Sequence, residues 1–475
     1  MKPARCIRSL VAALLVLLTA AGPVAAEMTI KKEKELGRKA FLEIREQLGL
    51  VKDPDCVWYL RGLGRRLVAL IPNSPFTYTF SLVDSPQINA FAIPGGYIFI
   101  FRGLVTFMDS EAELVSVVAH EIAHVKQRHL AMRLKRSQPV NLATMAGMLA
   151  GILLGAAGGN PAIGQAVIMG SVAGGIQKQL AFSREDEEQA DYVGYKLMTA
   201  LGYPARAMAE GFRKIGRREA MMGPHVATYL RTHPQSASRM DRIDALIRRH
   251  QHRVLPQDNS NFLRIKTRLV ALYDQEEQAE SRLRGWLGRD PHSPWPRYGL
   301  ALLAMRRRNH NQALAILENI DAENRFNPYF LREQALCRFK LGQMARAQHL
   351  YTRVLARLPK DQEALYGMGQ VMLHQGHPTA ATRFFKRLVA LNSDHDRGQH
   401  QLGVALGKLG RTGEASLHLG LAFKLRRNWR AARYHLGRAQ GSPSLDPRQR
   451  AQAHRALKQT IELEKKAKKR AEAEQ

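Results

Sequence analysis

Apolar and polar positions change rhythm several times along this chain of 475 residues. Met1–Ala26 starts basic (Lys2, Arg5, Arg8), turns apolar from Leu10 to Ala21 and ends on Val24-Ala25-Ala26. A basic start, a short apolar run and a small-residue cleavage site predict a secretory signal peptide, removed before Glu27. The run is short for a membrane span of about 20 residues, although an uncleaved N-terminal anchor is the competing reading. The mature chain is therefore expected in a bacterial periplasm, with membrane association left open.

Glu27–Leu50 and Asp55–Leu70 are helical in pattern. Thr77–Val83 alternates as a strand does, and Ile88–Ile93, Pro94-Gly95-Gly96 and Tyr97–Phe101 predict strand, turn and strand. An edge of such a sheet can hold a peptide extended by main-chain hydrogen bonds. Equally, the strands could do no more than cover the next helix, and spacing alone does not choose. That helix is predicted over Glu113–His129, which is apolar on one side and free of Gly and Pro. Leu142–Ile176 is then rich in Ala, Gly, Leu and Met, and is split by Gly158-Gly159-Asn160-Pro161. Its halves predict a buried helical hairpin spanning 141–176, with contact to a membrane surface and a transmembrane hairpin as alternatives. Gly147, Gly151, Gly155, Gly170 and Gly174 would let the two helices pack closely in any of these settings.

From about residue 260 the pattern repeats. Ala279, Ala313, Ala347, Ala381 and Ala415 recur every 34 residues, and twelve before four of them stand Ala301, Ala335, Gly369 and Gly403. Gly342, Gly376 and Gly410 fall in the intervening turns. This period and placement of small residues resemble tetratricopeptide repeats, whose arrays form concave protein-binding surfaces. A purely structural rim is the blander reading of the array. The expected architecture is mainly α. An α+β domain with a small sheet (27–255) precedes an all-α repeat superhelix (260–445) and a charged helix or tail (446–475).

Composition changes this picture little. The formal net charge of +31 is large, but its Lys and Arg residues are scattered and no nucleic-acid-binding motif accompanies them. A solvated basic surface is expected, with anionic membrane contact as the alternative and nucleic acid excluded as a partner. Three cysteines, with no Cys-x-x-Cys, make neither a disulfide framework nor a sulfur metal site. Cys6 is lost with the signal peptide, and pairing of Cys56 with Cys337 stays open.

The candidate chemistry lies in His120-Glu121-Ile122-Ala123-His124. Residues four apart share a helix face, so the two imidazoles can bind one zinc ion while Glu121 reaches a water on it. Downstream, Ser183–Asp191 packs five carboxylates into a helical pattern, where like charges cost stability unless a cation offsets them. Glu187 and Asp191 share a face there, so one can ligate zinc and the other orient a ligating histidine. His129, five residues past His124 and well round the helix, and His225 are expected to be ordinary surface residues.

The supporting motifs occur in order: Asn89-Ala90-Phe91-Ala92-Ile93-Pro94-Gly95-Gly96, Gly103-Leu104, His120–His124, Ser183-Arg184, Glu187-x-x-Ala190-Asp191 and Thr232-His233-Pro234-Gln235-Ser236-Ala237-Ser238-Arg239. Over roughly residues 30 to 250 the chain thus resembles zinc metallopeptidases of the HtpX and CAAX-prenyl-protease type, a zincin-type fold. The resemblance implies one zinc ion per chain held by His120, His124 and Glu187, with Glu121 as catalytic acid/base and Asp191 orienting a ligand. It further implies that His233 approaches the metal or the transition-state oxyanion, although His233 and Arg239 could instead simply fix their loop. The whole layout resembles that of periplasmic metalloproteases of outer-membrane protein quality control. That implies misfolded or unassembled β-barrel proteins as substrates and the outer-membrane assembly machinery as a docking partner of the repeats. Two other functions compete: a periplasmic chaperone or scaffold with a structural zinc, and a membrane-embedded processing protease.

Overall fold

The computed structural model describes residues 28–136, 147, 182–222, 229–234, 237–249, 253–324 and 327–473. The expected signal peptide lies outside the described residues, as does the apolar segment 141–176 apart from Gly147. The chain forms two compact units that divide between Leu269 and Val270.

In the first unit, α1 (Ile30–Gln47) and α2 (Pro54–Val68) start where the sequence supplies caps. Thr29 accepts from the Lys32 amide and Asp53 from the Cys56 amide, each satisfying a first-turn donor. Leu36, Ala40 and Ile44 form the buried stripe of α1. They meet a three-stranded sheet of β1 (Thr79–Val83), β2 (Ala90–Ile93) and β3 (Tyr97–Phe101) in the order β1-β3-β2. β3 is central, parallel to β1 and antiparallel to β2. The turn joining β2 to β3 needs its glycines. Gly95 and Gly96 have φ of +84° and +98°, and a Cβ on Gly96 would lie 2.7 Å from the Thr77 carbonyl oxygen.

The short α3 (Arg102–Phe107) leads to α4 (Glu111–Lys126), capped by Ser110 and buried from Ala112 to Val125. A helix covered on all sides runs through a core rather than over a surface, and α4 is the central rod of this unit. α5 (His129–Arg136) follows, then α6 (Arg184–Ala200), which begins in a reciprocal capping box of Ser183 and Asp186. α6 lies close against α4: a Cβ on Gly194 would come within 3.2 Å of the His120 amide nitrogen. α7 (Arg206–Met222), α8 (Tyr229–Thr232) and α9 (Ala237–Arg249) complete the surroundings of the rod.

The division falls inside α10 (Ser260–Tyr273). Its first part is held within the first unit by Arg264 on Asp55 (2.6 Å), Arg268 on Asp53 (2.5 Å) and Lys266 on the Met108 carbonyl (2.5 Å).

The second unit runs from α11 (Glu276–Arg289) to α20 (Trp429–Gln440), the tetratricopeptide-like array expected from the repeat, and ends in the long charged helix α21 (Pro447–Ala473). All five period-34 alanines are buried. The small residues twelve before them mark close approaches between helices. A Cβ on Gly369 would enter the Phe385 ring at 2.5 Å, and one on Gly403 would sit 2.7 Å from Leu419 Cγ. Gly342, Gly376 and Gly410 turn the chain with φ near +75° (+77°, +77° and +71°), and one period before Gly342 the same role falls to Arg308 at φ 60°.

Candidate metal centre

Four buried side chains converge on one point: His120 and His124 of α4, Glu187 of α6 and His233 just after α8. One ligand atom from each lies within 4.8 Å of all the others. His120 Nε2 stands 2.9 Å from His124 Nε2, 3.3 Å from His233 Nδ1 and 3.4 Å from Glu187 Oε2. Glu187 Oε1 is 2.9 Å from His233 Nδ1 and 3.5 Å from His124 Nε2. Four donors placed tetrahedrally about 2.0–2.2 Å from a zinc ion would be about 3.3–3.6 Å apart. The cluster has nearly that size and the right donor types, so its residues fit such an ion. Glu121 adds a second sign. Both its carboxylate oxygens are buried without a hydrogen bond, Oε1 being 3.4 Å from His233 Nε2, and a buried polar group without a partner is costly unless a ligand or water serves it.

The charges in the cluster are tuned against one another. Burial disfavours the charged form of His120, but Glu187 and Asp191 outweigh it and raise its pKa to about 9. Burial pushes the His124 imidazole well down, and its neighbour His120 pushes the same way. Burial opposes the Glu187 carboxylate too, yet His233 and His120 hold it well below the usual carboxylate range. The short Nε2–Nε2 contact needs one N–H and one lone pair, which a charged His120 and a neutral His124 supply. Burial, foremost, raises the pKa of Glu121, as suits a proton acceptor.

Behind the ligand atoms stands a layer of partners. Asp191 Oδ1 lies 3.0 Å from His120 Nδ1, the outward nitrogen of that ring. Arg239 of α9 binds both Asp191 oxygens (2.7 and 2.8 Å) and Glu187 Oε2 (2.6 Å). Side-chain cations also meet part of the acidic run: Arg133 lies 3.1 Å from Asp186 and Arg242 lies 2.7 Å from Glu188.

His129 corrects the sequence reading. It is no surface residue; only 5% of it is exposed, and its Nδ1 lies 2.9 Å from His124 Nδ1. The expectation failed because it continued the helix through residue 129. α4 ends at Lys126, Arg128 takes a φ of 59°, and the chain folds back so that His129 opens α5 beside His124. Arg128 is pinned in that conformation by Glu33 (2.7 Å) and the Met28 carbonyl (2.6 Å). Sequence reasoning also missed two aromatic walls. Phe182 lies 3.9 Å from the His124 ring centroid and 5.1 Å from that of His233, and Tyr229 stacks on His233 at 4.6 Å. Only their proximity in sequence to Ser183 and His233 could have pointed to them. His225 lies outside the described residues, and Cys56 and Cys337 are free, buried thiols, one in each unit.

Residues 59–247 match peptidase family M48, and residues 274–337 and 338–406 match the tetratricopeptide repeat family. A putative beta-barrel assembly-enhancing protease of Vibrio cholerae is 30% identical over 421 residues, covering 86% of this chain and 85% of that one. The beta-barrel assembly-enhancing protease of Escherichia coli is 29% identical over 383 residues, 80% of this chain and 77% of its own length. The mitochondrial metalloendopeptidase OMA1 of Schizosaccharomyces pombe is 27% identical over 221 residues, 46% of this chain and 62% of its own. Among the described residues, no helix is long and apolar enough to cross a membrane.

Proposed function

This chain belongs to peptidase family M48 and is a metalloendopeptidase, and from that premise we propose that it is a zinc enzyme of the bacterial periplasm that removes misfolded or unassembled outer-membrane β-barrel proteins. One observation carries the reading: His120, His124, Glu187 and His233 converge in a buried cluster beside a Glu121 carboxylate with no hydrogen-bond partner. The beta-barrel assembly-enhancing proteases that match along both units support the substrate class. The signal-peptide pattern of Met1–Ala26 supports the compartment. The repeats would dock the substrate or the assembly machinery, as stacked helical repeats commonly do.

In this proposal His120, His124 and Glu187 hold a single zinc ion through Nε2, Nε2 and a carboxylate oxygen. Bound there, zinc supplies Lewis acidity, which makes water nucleophilic near neutral pH and polarises a peptide carbonyl. Glu121 takes the proton from the attacking water and later hands it to the departing amine. Its burial suits both duties, since a raised pKa makes the carboxylate a better base and its acid a usable donor. Asp191, held by Arg239, fixes the His120 ring through Nδ1.

His233 belongs to the same reading. Its Nδ1 stands among the ligand atoms, at the place water must occupy for hydrolysis. The arrangement is a resting one, in which His233 must withdraw before a peptide can be cut.

The test is to express the full chain as Glu121→Gln and cross-link what it holds in the envelope. Recovery of outer-membrane barrel proteins is expected, and recovery of cytosolic proteins alone would overturn both the substrate class and the compartment.

A further inference from the structure

We propose that His129 is a positioning residue for the metal: it holds His124 in the one tautomer that offers Nε2 to the ion, and Gln189 holds His129 in turn. The inference rests on the zinc-site reading above and extends it to residues outside the ligand set.

The chain of contacts runs outward from the cluster. His124 directs Nε2 at His120 Nε2 (2.9 Å) and Glu187 Oε1 (3.5 Å), so any ion there meets that nitrogen. Its other nitrogen, Nδ1, faces His129 Nδ1 at 2.9 Å. Two imidazole nitrogens at this distance share one proton between them, and the partner must offer a lone pair. If His129 donated, His124 would accept on Nδ1 and a neutral ring would carry its proton on Nε2, which blocks ligation. If His124 donates, Nε2 is free for the metal.

The far side of His129 selects the second state. Its Nε2 lies 3.2 Å from Gln189 Oε1, an oxygen that also accepts from Gln127 Nε2 at 3.4 Å. An amide oxygen only accepts, so His129 carries its proton on Nε2 and leaves Nδ1 as the acceptor. Asp186 Oδ1, 3.9 Å from the same Nε2, favours the proton there as well. Each link is thereby directed: His124 Nδ1–H to His129 Nδ1, and His129 Nε2–H to Gln189.

The geometry gives the two histidine ligands different supports. His120 leans on a carboxylate that a buried arginine holds, whereas His124 leans on a neutral imidazole and an amide. Helix α6 supplies all three anchors at alternating positions: Glu187 as a ligand, Gln189 behind His129 and Asp191 behind His120. Partners of this kind alter metal affinity by about 10–100-fold when removed.

Zinc affinity of the purified full chain, measured by competition with a chromogenic chelator, tests this. The variants are His129→Leu, which removes the acceptor, and His129→Asn, whose side-chain oxygen replaces Nδ1. Each is paired with the melting temperature of its metal-free form. His129→Leu is expected to weaken zinc binding by about 10–100-fold and His129→Asn to restore most of that, with cobalt-loaded His129→Leu showing altered visible bands as one nitrogen ligand weakens. Gln189 is exposed, so Gln189→Leu should fold even where His129→Leu does not, and a several-fold loss is expected of it. Zinc binding unchanged in the leucine variants, or equal loss in His129→Asn and His129→Leu, would overturn the proposal while leaving the zinc site intact. Failure of the parent chain to take up zinc would overturn the zinc-site reading itself, and this proposal with it.

Discussion

Arg239 grips the Asp191 carboxylate by two parallel hydrogen bonds, Nε to Oδ2 at 2.7 Å and Nη2 to Oδ1 at 2.8 Å. Its remaining nitrogen, Nη1, reaches Glu187 Oε2 at 2.6 Å. One guanidinium thus holds both a proposed zinc ligand, Glu187, and the carboxylate behind another, His120, a fork that lysine cannot reproduce. Arg239→Lys should keep the fold but lower zinc affinity by about tenfold, within the range for lost outer partners. Arg239→Ala strands two buried carboxylates and should cost about 3–5 kcal/mol in urea unfolding of the metal-free chain. A stability within 1 kcal/mol of the parent's would show the pair to be weakly coupled.

The proton on His120 sets a pH dependence. Its folded pKa is about 9 against an ordinary 6.5, so it is raised. A raised pKa stabilises the folded chain fully below about 6.5, and that stability is lost as pH climbs through 9. The metal-free melting temperature should fall across this window, and Asp191→Asn, which weakens the support for the charge, should flatten the fall. Zinc competes with the same proton, so its affinity should rise over the same range.

His233 separates two roles by the direction of one rate. A side chain that occupies the water position restrains the enzyme, and His233→Ala should then raise peptide hydrolysis several-fold while zinc stays bound. A group that stabilises the transition state would instead cost about 10²–10³ in rate when removed. Steady-state cleavage of a fluorogenic peptide at saturating zinc distinguishes them, and a fall would contradict the resting arrangement.

Gly194 is where α6 meets the His120 turn of α4. Gly194→Val forces the helices apart and should cost about 1–3 kcal/mol. It should weaken zinc binding as well, because Glu187 and Asp191 ride on the displaced helix. Unaltered zinc affinity in that variant would mean the site tolerates the shift.

Much of this arrangement is legible in the sequence. Helical spacing placed His120 and His124 on one face, and Glu187 and Asp191 on another, because a regular helix fixes relative direction within one element. The 34-residue recurrence of alanines exposed the repeat array for a different reason: each unit is the same helix pair and buries the same positions against its neighbours. His129 escaped because its position depends on a helix end and on Arg128 in a left-handed conformation, held by Glu33 some 95 residues away. Arg239 was visible only as one residue of a motif. Its grip on Asp191 and Glu187 is a tertiary fact, and no periodicity within α9 reports it. The aromatic walls, Phe182 and Tyr229, belong to the same class.

The most direct measurement of the central claim compares the full chain with Glu121→Gln on an unfolded protein substrate, each assayed for bound zinc. The parent should cleave with one zinc per chain, stop when the metal is chelated and recover when zinc is returned. Glu121→Gln should hold one zinc and cleave nothing. Cleavage at the parental rate by Glu121→Gln, or parental cleavage that survives complete removal of the metal, would contradict it.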